Sequence, residues 1–190
     1  MAFTKNEKDY LLKLARGSIE HYFKTGNRMD IKPQDVPTKQ LTEDGACFVT
    51  MYIGKALRGC IGSLQARRPL VFDVLDNALH SAFGDPRFYP LKEEELSNVK
   101  FTISILTKPV PLEVKDAKDL LKKLKPKKHG LIIQKGSRSA TYLPAVWEQL
   151  PKKEGFLSEL CEKAGLPEDA WRDTTEMIFQ VYEAVEFGES

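Results

Sequence analysis

Cysteine is scarce in this chain. Cys47, Cys60 and Cys161 form an odd set without CxxC spacing, which excludes a disulfide scaffold and gives no zinc signature. Histidine is equally sparse: His21, His80 and His129 lie far apart, so neither a metal nor a cofactor is expected. Long apolar runs are missing, none approaching the roughly 20 residues that cross a bilayer. The opening MAFTKNEKDY has no apolar core of a secretory signal. An excess of one charge is also absent. A formal net charge of +2 supplies no field of the kind that drives nucleic-acid or membrane binding. A cytoplasmic protein with no nucleic-acid and no membrane partner is the expectation. Walker loop, GxSxG elbow and HExxH are all lacking, which removes the commonest phosphate, esterase and metalloprotease signatures.

What is present is an ordinary globular balance. With 42% hydrophobic and 29% charged residues, 190 residues can bury a real core as one domain, with room for two lobes. Thr4 and Glu7 make a capping box, followed by Leu11, Leu14, Ala15, Ile19, Tyr22 and Phe23 at helical spacing, ended by Gly26-Asn27. Residues 29–40, with Pro33 and Pro37, read as an extended connection. The period then changes. CFVTMYI, Gly54-Lys55 and ALRGCIGSL predict a hairpin, and Pro69 opens a helix to about Phe83 with Val71, Leu75, Ala78, Leu79 and Ala82 inward.

GDPRFYP predicts a turn in which Asp85 bonds its own backbone. VKFTISILT is a strand, residues 116–123 a short helix, and GLIIQK with SATYL a second hairpin around Gly136-Ser137. VWEQL, GFLSELCEKAG and residues 169–174 read as short helices, and MIFQVYEAVEF as one long strand. Helices and strands mix without βαβ regularity. The fold class expected is α+β with mainly antiparallel sheets and flanking helices, the first and last elements sharing a lobe.

The chemistry concentrates in KALRGCIGSL. In a regular strand Arg58 and Cys60 face the same side, so a cation would stand beside the thiol and favour its thiolate. Gly59 and Gly62 leave room for close approach to the backbone. That describes a nucleophile or redox thiol. It equally describes a small apolar residue filling a core gap beside a bulge, and both readings stand. A catalytic thiol wants a base, and His129, ahead of Gly130 at a strand start, is the best candidate; His21 and His80 read as surface residues. Asp85 and Arg87 either clamp an anionic group or pin a loop. Glu95 can turn inward toward an arginine. The Lys122–Lys128 run reads as a solvated face, without the aromatics that stack on bases.

Taken in order, LRGCIGSL, AFGDPRFYPL, FTISIL, HGLII, TYLPAVWEQLP and FLSELCEKAGLP with Trp171 resemble the AMMECR domain family over nearly the whole chain. LRGCIG is that family's signature. The chain especially resembles the prokaryotic members grouped as the A component of the AmmeMemoRadiSam system. The resemblance implies a single domain over residues 1–190, with a larger lobe built from both chain ends and a smaller lobe from part of the middle. It also implies a cleft between the lobes near the signature strand. Its pattern falls on Arg58, Gly59, Cys60, Ile61 and Gly62, on Asp85, Pro86, Arg87 and Phe88, and on Glu95, Ser104, His129 and Gly130. The partners it implies are a Memo-like protein and a radical-SAM protein, and it brings no assigned reaction.

Two functions follow as expectations. One is a cleft-bearing binding or accessory component, with Arg58, Gly59, Gly62, Asp85, Arg87 and Glu95 contacting a small-molecule or peptide ligand. The other is an enzyme using Cys60 as nucleophile, with His129 assisting, on a small anionic substrate.

Overall fold

Thr4 and Glu7 start the first helix as their spacing predicts: the Glu7 amide donates to Thr4 Oγ1 (3.3 Å) and the Thr4 amide to Glu7 Oε2 (2.8 Å). A computed structural model describes residues 2–189. Along the chain, α1 (Lys5–Thr25) is followed by β1 (Ala46–Ile53), β2 (Ala56–Gly62), α2 (Leu70–Phe83), β3 (Val99–Leu106) and β4 (Val110–Pro111). Then come α3 (Ala117–Lys123), β5 (Gly130–Lys135), β6 (Arg138–Tyr142), α4 (Lys153–Lys163), β7 (Ile178–Tyr182) and β8 (Ala184–Gly188). The strands form two four-stranded antiparallel sheets, ordered β2-β1-β3-β8 and β4-β7-β5-β6.

The chain divides into two units. One runs to Leu106 and resumes at Val185; the other is Thr107–Ala184. In the first, alternation along β1 and β3 sends Val49, Met51, Phe101 and Ile103 to one face, where none is exposed. Leu11, Ala15 and Ile19 of α1 and Val71, Val74, Leu75 and Ala78 of α2 complete that core. The contact between α2 and the sheet is also polar. Buried Asp73 accepts from the Cys47 amide and Asn77 Nδ2 (both 2.9 Å), from Ser63 Oγ (2.8 Å) and from Arg68 Nε (2.9 Å). In the second unit, Trp147 stacks on Phe156 with ring centroids 3.7 Å apart, packed with Leu131, Ile133, Leu157, Leu160 and Trp171.

Both hairpins turn as their glycines require. Gly54 and Gly136 each sit at φ 60° as first residue of a two-residue loop, a backbone region that side chains disfavour. The structure departs from the sequence expectations in three places. Residues 33–35 and 39–42 form short 3-10 turns rather than a plain extended connection. The helices expected at VWEQL and at 169–174 are 3-10 turns, at Pro144–Glu148 and Ala170–Arg172. MIFQVYEAVEF is two strands in different sheets, not one. It breaks at Glu183, whose amide donates to Thr107 Oγ1 (2.8 Å) and whose carbonyl accepts from the Thr107 amide (2.8 Å), so these groups serve Thr107 instead of a ladder.

Candidate functional site

Strand β2 lies at the edge of the first sheet, and its pairing with β1 is interrupted in the middle. Met51 faces Gly59 while Tyr52 faces Leu57, so Arg58 is the extra residue of a bulge. The bulge overturns the regular-strand expectation that put Arg58 beside the Cys60 thiol. Arg58 turns instead to Glu95: Nε donates to Oε1 (2.8 Å) and Nη2 to Oε2 (2.9 Å), a two-pronged pair. Its Nη1 also donates to the Tyr89 carbonyl (3.1 Å) and its Nη2 to the Pro90 carbonyl (3.4 Å). Arg58 thereby fastens the loop that precedes β3.

Gly59 and Gly62 are explained by packing. A Cβ at Gly59 would stand 2.3 Å from the Ser81 carbonyl oxygen of α2 and 2.8 Å from Met51 Cε. One at Gly62 would meet the Phe48 ring at 2.3 Å and the Cys47 carbonyl oxygen at 2.6 Å. The room that the glycines leave is therefore filled by the protein itself, by the Phe48 ring of β1 at Gly62 and by the backbone of α2 at Gly59. Ser81 uses that proximity. Its hydroxyl accepts from the Ile61 amide (2.9 Å) and donates to the Val49 carbonyl (2.7 Å).

Cys60 points to the other face, half-buried, where Thr50 Oγ1 donates to its sulfur (3.1 Å). Its backbone is held by the loop after α2. Asp85 Oδ2 accepts from the Cys60 amide (2.9 Å), and Arg87 Nη2 donates to the Cys60 carbonyl (3.3 Å). Asp85 and Arg87 are themselves joined, Nε to Oδ1 (3.0 Å) and Nη2 to Oδ2 (2.7 Å), and the Arg87 amide also donates to Oδ1 (3.1 Å), the turn bond the sequence predicted. On the open side of an edge strand this carboxylate–guanidinium pair occupies the place of a further strand, satisfying one donor and one acceptor that would otherwise invite edge pairing.

The electrostatics follow from these bonds. The Arg87 guanidinium, against the opposing effect of burial, holds the Asp85 carboxyl far below the usual carboxylate range, with the Cys60 and Arg87 amides adding to it. Arg87 is raised above its ordinary value, first by its bond to Asp85 and, against burial, by the Asp85 charge. Glu95 is brought down to about 2, first by Arg58 and then, against burial, by the Lys92 amide. Because its folded value lies below the ordinary 4.5, Glu95 contributes stability that is present above pH 4.5 and lost as pH falls toward 2. In Glu95→Gln the acid-side decline of the urea midpoint across that window is expected to be shallower than in the wild type.

His129 belongs to the second unit. Its Nδ1 accepts from the Lys125 amide (3.3 Å) and its carbonyl from Trp147 Nε1 (2.7 Å), and burial, then Lys125, lowers its pKa. The bonds of Cys60 come instead from Thr50, Asp85 and Arg87. Ser104, also on the family pattern, donates to Glu186 Oε2 (3.0 Å) across β3 and β8. Among the described residues no cluster of three or more His, Cys, Asp or Glu could hold a metal. No helix among them is long and apolar enough to cross a membrane.

Sequence reasoning missed Ser81, Thr50 and Tyr89. Ser81 carried a signal: it falls three residues after Ala78, on the apolar stripe of α2, where an unpartnered hydroxyl would be costly. Thr50 and Tyr89 carried none. Tyr89 is 91% exposed and stands with Arg58, Arg87, Phe88, Lys92 and Glu95 around a surface depression of about 460 Å³.

The AMMECR1 family model matches residues 12–187. Protein MK0488 of Methanopyrus kandleri is 40% identical, the match covering 98% of this chain and 90% of that protein. Protein PYRAB00100 of Pyrococcus abyssi is also 40% identical, over 95% of this chain and 90% of its own length. Among solved structures, Uncharacterized Protein PH0010 from Pyrococcus horikoshii superposes with a TM-score of 0.85 at 36% identity, covering 99% of this chain and 94% of that one. None of these names carries an activity.

Proposed function

The chain belongs to the AMMECR1 family, and we propose that it acts as a binding or accessory component whose recognition surface is the corner made by β2 and the loop from Gly84 to Lys92. The observation behind this reading is the state of the charged groups. Asp85 has both oxygens engaged by four donors, and Glu95 is locked in the Arg58 fork. Carboxylates held that low are poor proton acceptors at neutral pH, so the corner supplies shape and donors rather than an acid–base pair. The resemblance to the A component of the AmmeMemoRadiSam system supplies the partners: a Memo-like protein and a radical-SAM protein.

Co-purification tests it. Tagged wild type and Cys60→Ser should each retain a Memo-like or radical-SAM protein, and Arg87→Ala should reduce recovery about tenfold, as loss of a charge-assisted contact implies. Loss of the partner in Cys60→Ser, with Arg87→Ala unaffected, would sink the reading.

A second reading is favoured by the Thr50 hydroxyl on the Cys60 sulfur and by the bond from Arg87 to the Cys60 carbonyl, which brings a guanidinium to the same residue. In it Cys60 attacks a small anionic substrate as a thiolate stabilised by Arg87. Iodoacetamide alkylation across pH should then be several-fold faster near neutrality in the wild type than in Arg87→Ala. Coincident profiles would retire the nucleophile.

A further inference from the structure

Tyr89 is held by its backbone and free in its side chain. Its carbonyl accepts from Arg58 Nη1 (3.1 Å), and the next residue, Pro90, has a fixed φ. On either side the Phe88 amide donates to the Asp85 carbonyl (3.1 Å) and the Leu91 amide to the Ala82 carbonyl (2.8 Å), with the Leu91 side chain buried. The ring itself is left in water at 91% exposure. A large aromatic presented on a fixed frame, with only two torsions to order, is the cheapest kind of binding anchor in entropy.

The charge beside it is also specific. Around the depression Arg58 and Glu95 neutralise each other, and Asp85 lies sealed beneath, its side chain 2% exposed. Arg87 turns Nε and Nη2 inward, to Asp85 and Cys60, which leaves the two hydrogens of Nη1 as donors for a ligand. Lys92 stands on the same rim, 3.8 Å from the exposed Glu94. Asp85 balances the charge of Arg87 and Glu94 partly offsets Lys92, so the rim offers charged donors with little net positive charge. That suits one carboxylate accepting from the outer edge of the guanidinium, and not the two charges that a phosphate monoester carries. The Tyr89 side is a ledge rather than an enclosure, so a free small molecule would keep much of its surface in water, whereas a segment of a larger partner would cover the ring.

We propose that this depression takes a short peptide segment of a partner protein, carrying a carboxylate next to an apolar side chain. The carboxylate meets Arg87 Nη1 and Lys92, and the apolar side chain lies on Tyr89 and Phe88. This rests on the binding reading above and names what is bound.

The test is a titration of the full chain, followed by backbone amide NMR shifts, with the peptide acetyl-Ala-Leu-Asp-Leu-amide and its Asp→Asn counterpart. The Asp peptide should move the Phe88, Tyr89 and Lys92 amides and bind about tenfold more tightly than the Asn peptide, the expected effect of one charge-assisted contact. Tyr89→Ala, which removes no packing, should weaken the Asp peptide several-fold without moving the urea midpoint. Equal binding by the two peptides overturns the carboxylate preference while leaving the binding reading in place. Unchanged affinity in Tyr89→Ala overturns the aromatic anchor, and an absence of shifts with either peptide at millimolar concentration overturns the whole inference. The binding reading itself falls only by the co-purification result.

Discussion

Gly59→Ala is expected to cost the first unit about 3 kcal/mol, the upper end of what one added methyl does in a closed core. The reason is what the methyl would strike. At 2.3 Å from its ideal position lies the Ser81 carbonyl oxygen, and the Ser81 carbonyl carbon is only 3.2 Å away, so a helix backbone rather than a flexible side chain must give way. Moving α2 outward would stretch the bond from the Ile61 amide to Ser81 Oγ and loosen Val71, Leu75 and Ala78 from the sheet. Gly17→Ala is the matched control. Nothing lies within 4 Å of its added Cβ inside α1, so it should gain roughly 0.5–1 kcal/mol from helix propensity. Urea unfolding followed by far-UV circular dichroism reads both, because α1 and α2 are the two longest helices. A Gly59→Ala midpoint equal to the wild type would mean that α2 does not press on β2.

That contact also explains how much of the site could be read in advance. The hairpin, the turn at Asp85 and the capping box were legible because each is a local rule: two glycine-marked turns, an aspartate that bonds its own backbone, a threonine three residues ahead of a glutamate. The α+β class followed from the change of period, and the AMMECR family from the motif order. The bulge was harder. Gly59 hinted at it, but whether Arg58 or a neighbour becomes the extra residue is decided by the register against β1, which lies outside the motif. The alternation rule therefore placed the wrong arginine at the thiol; Arg87, from a loop 27 residues later, holds the Cys60 backbone. The break at Glu183 was invisible for a related reason. No glycine or proline punctuates MIFQVYEAVEF, and the division into two sheets depends on Thr107, far away in sequence.

The Asp85–Arg87 motif posed a choice between clamping an anion and pinning a loop. Its geometry does the second without excluding the first, because the carboxylate consumes the inner edge of the guanidinium and leaves the outer edge. Asp85 thus acts on any ligand through Arg87, as a positioning residue. The cysteine in the signature fits the same logic: its backbone is the surface that Asp85 and Arg87 hold, whatever the sulfur does.

Asp85→Asn should therefore have the largest effect of any single change in the motif, about 3–4 kcal/mol at pH 7. The carboxylate accepts from four donors, and an amide offers one acceptor oxygen and turns an NH₂ toward the rest. It also strips Arg87 of its counter-charge. Arg87→Ala should cost less, since Asp85 keeps the Cys60 and Arg87 amides as donors. In the double variant the loss should fall short of the sum by about 1–3 kcal/mol, the signature of a coupled pair. The pH dependence separates this from a general packing defect. The Asp85 carboxyl is depressed in the folded state, so its stabilisation is complete above the ordinary carboxylate range and wanes as pH falls below it. The gap between wild type and Asp85→Asn, measured by urea midpoints from pH 7 down to pH 2, should narrow with acid. A gap that stays constant across that range would show that the charge contributes nothing and that the pair is held together by shape alone.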